Sequence, residues 1–140
     1  MTSYDAFLLN VNKYKIYEII ACEKICLLNN TTLLKFNDDY RYDFKTSDKN
    51  KYEVKTDELS LKTNNLSIEF EGYKKPWGIS ISKANYYIFS DTINYYVIEI
   101  NKLKKIINNI INKKIVCTRD ETTYGYLINK ELIFINSQKI

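Results

Sequence analysis

A single mixed α/β domain is what this chain predicts, and three observations carry that expectation. Its 140 residues suit one domain spanning 1–140, and 45% of them are hydrophobic, enough for a real core. Apolar residues recur at helical spacing near both ends, with alternating or continuous apolar runs between them. The resulting order is helix, strand meander, short helix, strands, helix, with no repeat or linker.

Tyr14–Leu28 reads as the first helix, apolar on more than one face and closed by Asn29-Asn30-Thr31-Thr32. Leu33–Phe36 reads as a strand, followed by a second strand containing Tyr40-Arg41-Tyr42-Asp43-Phe44. Ser47-Asp48-Lys49-Asn50 is rich in turn formers, and Lys51–Thr56 is the partner strand of a hairpin. After the polar loop Lys62–Asn65 comes a strand over Leu66–Phe70 and then Gly72–Gly78, which holds the only proline and tryptophan. Ile79–Asn85 suggests a short helix. Tyr86–Ser90 and Tyr95–Ile100 suggest buried strands joined by Asp91–Asn94. Asn101 is placed to cap a helix from Lys102 to Asn112, and weaker strands follow over Ile115–Cys117 and Gly125–Ile135.

Composition narrows the chemistry. There is no histidine, which removes histidine general bases, Ser-His-Asp and Cys-His mechanisms and most zinc sites. A hydrolase built from this alphabet must use carboxylates, lysine and a hard cation such as Mg²⁺. Cys22, Cys26 and Cys117 have no ligand spacing, which suits a reducing, intracellular setting. Net charge is +4, mild but compatible with a basic face. No apolar run approaches the roughly 20 residues of a membrane span.

The chemistry-bearing residues cluster in the first half. Asp43 precedes Glu53-Val54-Lys55 by ten positions, on consecutive strands of one hairpin. Alternation puts Glu53 and Lys55 on one face and Val54 on the other. Two acids beside a lysine suit a divalent cation and a phosphodiester. Ser80, Ser82 and Lys83, at the start of the expected short helix, suit a phosphate, and the Lys75-Pro76-Trp77 loop suits a groove contact. The clusters Lys102-Lys104-Lys105 and Lys113-Lys114 read as solvated helix surface.

This pattern resembles the active-site signature of the PD-(D/E)xK nuclease superfamily. The run Lys62-Thr63-Asn64-Asn65, Ile68-Glu69, Lys75-Pro76-Trp77-Gly78-Ile79-Ser80 and Ser82-Lys83-Ala84-Asn85-Tyr86-Tyr87 is similar to a small phage and viral type within it. Asn64 stands where that type has glycine, and Trp77 where it has serine. The resemblance covers residues 40 to 90 and implies a restriction-endonuclease-like core, a mixed central sheet flanked by helices. It implies a Mg²⁺-dependent DNA endonuclease, with Mn²⁺ as a substitute, in which Asp43, Glu53 and the Val54 carbonyl hold the metal and Lys55 orients the attacking water. It also implies a glutamate from the first helix, Glu18 in preference to Glu23. Glu69 is either an added carboxylate or a solvent-facing alternate. DNA is the expected partner, in restriction, recombination or repair, and a homodimer would suit cutting of two strands. The alternative is a catalytically inactive nucleic-acid-binding module of the same fold.

Overall fold

The computed structural model describes residues 2–37 and 41–140, with side chains of the first helix described from residue 13 onward. That helix, α1, runs Ser3–Asn29, so it begins eleven residues earlier than its apolar periodicity suggests. It ends as expected: Asn30 takes a left-handed φ of 53° and the Thr31 N–H donates to the Cys26 carbonyl at 3.0 Å.

The meander follows. Strand β1 is Leu33–Phe36, β2 is Phe44–Thr46 and β3 is Lys51–Thr56. The second strand is shorter and later than expected: Asp43 lies in the bend just before it, and Tyr40 falls outside the described residues. The Ser47–Asn50 turn closes the hairpin, held by Thr46 N–H to the Asn50 carbonyl at 3.0 Å. The polar stretch before the next strand contains one helical turn, α2 at Ser60–Thr63, which ends on Asn64 at φ 58° and ψ 22°. Asparagine is the side chain that best tolerates this conformation after glycine.

Strand β4 spans Asn65–Gly72 and turns through Tyr73 and Lys74, both at positive φ, into β5 at Lys75–Pro76. The helix expected over Ile79–Asn85 is a single 3₁₀ turn at Gly78–Ser80; residues 81–85 are irregular because they are tied to other strands. The Lys83 N–H donates to the Arg41 carbonyl and the Asn85 N–H to the Lys51 carbonyl. Strands β6, Tyr86–Ser90, and β7, Tyr95–Glu99, lie where the apolar runs place them. Helix α3 is Ile100–Asn108, starting one residue before the expected Asn101 cap and stopping four before Asn112. Strand β8 is Lys114–Cys117 and β9 is Thr123–Asn129. The second half of the last expected strand is instead a helix, α4 at Lys130–Ile135, capped by Asn129, whose side chain accepts from the Glu131 N–H. Strand β10 is Gln138–Lys139.

Two sheets result. One has six strands in the order β1-β2-β3-β6-β7-β10, antiparallel except for the central β3–β6 pair, which is parallel. The other has four, β5-β4-β9-β8, all antiparallel. The mixed α/β class therefore holds, with a second sheet that the apolar pattern does not announce. Each face of the six-stranded sheet has its own core. Ala21, Cys22 and Ile25 of α1 pack on Phe44, Tyr52, Ile88 and Val97. On the other side Tyr87, Phe89 and Ile98 pack with Leu66 and Ile68 of the second sheet and Leu103 and Ile107 of α3. Among the described residues no helix is long and apolar enough to cross a membrane.

Candidate active site

The hairpin and the parallel strand beside it assemble the acids. Tyr52 and Val54 belong to the core under α1, so alternation turns Glu53 and Lys55 to the opposite face. That face is mostly apolar and covered, and Glu53 is only 8% exposed there. A carboxylate in such a place is costly unless protonated, paired or bound to a cation.

Asp43 closes over it from the bend before β2. Its Oδ2 accepts the Val54 N–H at 2.6 Å, and its own N–H donates to the Tyr52 carbonyl at 2.8 Å. The Asp43 carboxyl acts on Glu53 from close by. Burial first, then the neighbouring Asp43 and Glu18, push the Glu53 carboxyl up to about 9 against the pull of Lys55. The Lys55 ammonium lies 3.9 Å from Glu53 Oε1 and is partly open to solvent. Glu53 therefore holds its proton well above the usual carboxylate range, with a lysine at its rim.

Glu18 stands further off. Its carboxyl is raised by burial, opposed by a 2.9 Å hydrogen bond from Lys15, and it feels the charge of Asp43. It comes from the side of α1, whereas Glu53 faces away from that helix. It acts on the pair as a nearby charge. Glu23, the other helix acid, is exposed on the outward stripe with Ile16, Ile19 and Leu27. Among the described residues no group of three or more His, Cys, Asp or Glu side chains converges to hold a metal ion.

The phosphate-contact candidates divide. The Ser80 hydroxyl donates to the Phe70 carbonyl at 2.8 Å, and that of Ser82 donates to the Arg41 carbonyl while accepting from the Ala84 N–H. Both serines are thus engaged in holding the loop, and with no helix after them there is no helix N-terminus to receive an anion. Trp77 is half-buried against β4: a Cβ on Gly72 would come 2.9 Å from its Cγ. Lys75 and Lys83 are exposed. Gly78 is required where it stands, because its φ is +53° and a Cβ would sit 2.3 Å from the Glu69 carbonyl oxygen.

Three contributors escape the sequence pattern. Lys51 shares the Glu53 face by alternation, and Lys45 is its cross-strand partner, so both add positive charge beside the acids. Tyr87 is the register partner of Glu53 across the parallel pair. Strand alternation could have flagged Lys51; the other two depend on long-range register.

No family model, curated protein or solved structure matches this chain.

The donor set implies a hard cation. Asp43 and Glu53 offer hard oxygen ligands on one hairpin, and the cost of burying the Glu53 charge beside Asp43 favours positive charge there. Mg²⁺ needs only one or two carboxylates and keeps its waters. The residues fit a largely hydrated Mg²⁺ or Mn²⁺, not a cage made wholly of protein.

Proposed function

We propose that this protein is a metal-dependent nuclease of the restriction-endonuclease-like kind, hydrolysing DNA phosphodiesters. The observation that carries the reading is the convergence of Asp43, held by the Val54 N–H, on the buried Glu53, with Lys55 3.9 Å from the Glu53 carboxyl. A bound Mg²⁺ supplies charge neutralisation on the phosphate and lowers the pKa of water. Asp43 and Glu53 are the residues that hold it. Asp43 is aimed by the Val54 N–H, so its orientation is set by the strand and not by the ligand. Lys55 orients the attacking water and offsets charge building on the phosphorus oxygens. Glu18 adds negative charge that favours cation uptake.

Two further features support this reading. Lys45, Lys51 and Lys55 lie on the Glu53 side of the hairpin, and Lys83 and Arg41 are exposed on the neighbouring loop, where a phosphate backbone is met by point charges. Glu53 and Lys55 also sit on β3, a strand paired on both sides within the mixed sheet, and Lys55 reaches the solvent at its rim.

The test is cleavage of plasmid and branched DNA with Mg²⁺ or with EDTA, comparing wild type with Glu53→Ala and Lys55→Ala. Cutting that requires Mg²⁺ and disappears in both variants is expected. Equal cutting by the variants would sink the site, and a DNA shift without any cutting would favour a binding module.

A further inference from the structure

Tyr87 is 1% exposed, yet its hydroxyl has no hydrogen-bond partner. A buried O–H left unpaired costs free energy, so a native structure that keeps one calls for a reason. Ser82 is the nearest polar side chain acting on this hydroxyl, without closing a hydrogen bond to it, and the charges of Glu53, Asp43 and Glu69 are felt there as well. Ser82 is already committed to the Arg41 carbonyl and the Ala84 N–H. Tyr87 is also the β6 partner of Glu53 in the parallel pairing, so the two side chains leave the sheet on the same face. Glu53 itself receives no backbone N–H among the described residues; its neighbours are the Asp43 carboxyl and, more loosely, Lys55.

Resting on the nuclease reading above, we propose that Tyr87 is a positioning residue for the metal site: its phenolic O–H, unpaired in the metal-free structure, donates to the Glu53 carboxylate oxygen left free when a cation binds. Ligating carboxylates are generally oriented by such a hydrogen bond from behind. Burial raises the phenol above its ordinary range, so it remains a donor throughout the working pH range. Ring packing on Phe89, with centroids 5.8 Å apart, holds the side chain against the sheet independently of the hydroxyl. The hydroxyl is therefore separable from the ring's place in the core.

Tyr95 provides the control. Its hydroxyl is likewise buried without a partner, but it lies in the core under α1, on the face of the sheet opposite Glu53. The experiment is calorimetric titration of the full chain with Mn²⁺ alone, for wild type, Tyr87→Phe, Tyr95→Phe and Glu53→Gln, with metal-free melting curves for each. Tyr87→Phe should weaken Mn²⁺ binding by about 10-fold or more while its metal-free melting temperature stays level or rises, and Tyr95→Phe should bind as wild type. Wild-type affinity within about twofold in Tyr87→Phe, with binding lost in Glu53→Gln, overturns the proposal and leaves the metal site standing. A lowered metal-free melting temperature in Tyr87→Phe marks a structural role and also overturns it. Absence of Mn²⁺ binding in wild type removes the nuclease reading itself.

Discussion

Two buried acids sit at opposite ends of strand β6's neighbourhood, and their fates differ. Asp91, in the turn after β6, is 2% exposed; Glu53, beside the strand's start, is 8% exposed. Burial would raise both. Around Asp91 that cost is more than offset, because the N–H groups of Asn94 and Ile93 donate to it at 2.7 and 3.0 Å and Lys130 lies 3.4 Å away. Its carboxyl ends below the usual range. Glu53 has no such cradle and is pushed up to about 9. The turn was built to keep a charge, and the hairpin to wait for one. Satisfied buried acids are architecture; an unsatisfied one beside a second carboxylate is where a ligand belongs.

The largest expected effect breaks the comparison on the Glu53 side. Glu53→Ala should cut Mg²⁺-dependent DNA cleavage by about 10³-fold, equivalent to about 4 kcal/mol of transition-state stabilisation, while the folded protein survives. Single-turnover rates with circular dichroism on the same samples check this. Asp91→Ala should do the reverse. Leaving Lys130 buried without its partner should cost about 3 kcal/mol of stability in urea melts, with the cleavage rate per folded molecule unchanged.

Proton linkage sharpens the contrast further. The folded chain holds a proton on Glu53 that the unfolded chain, with its carboxyl near 4.5, releases. Stability of the metal-free protein should therefore be fullest below that value and decline as pH rises towards about 9, a trend that Glu53→Gln removes. Asp91, held low, contributes stability that is lost only in acid, as pH falls below the unfolded carboxyl's range. Melting temperatures across pH 3 to 9 for wild type and Glu53→Gln would separate the two arms. The smallest effect belongs to Lys130→Met: Asp91 keeps its N–H donors, so the loss should be about 1 kcal/mol.

How much of this was legible beforehand follows from the range of the forces involved. Strands β1, β3, β6 and β7 were visible because alternation and apolar runs are local signals. So were the hairpin turn and the pairing of Asp43 with Glu53-Val54-Lys55. The start of α1 was not, since its first residues mix apolar and polar groups without a clear stripe. Gly125–Ile135 looks like one apolar run, yet Asn129 caps a helix in its middle. Residues Ile79–Asn85 have helical composition but spend their hydrogen bonds on Arg41 and Lys51, partners far off in the chain. Tyr87, read as packing, and the Asp91–Lys130 pair, 39 positions apart, depend on register that no local pattern encodes.

The order in which the two sheets are threaded has a kinetic consequence. Strand β4 leaves the chain between β3 and β6, yet its partner is β9, so that Ser67 faces Leu127; the six-stranded sheet is then completed by β10. Neither sheet can be finished before the other is begun. Pairings this distant delay any return on the loop entropy already spent, which places the chain among slow folders relative to helical domains of its size. The hairpin that sets Asp43 beside Glu53 is local, but the burial of Glu53 waits for β6 to dock on β3, so an early collapsed chain would carry the acid pair without its cover.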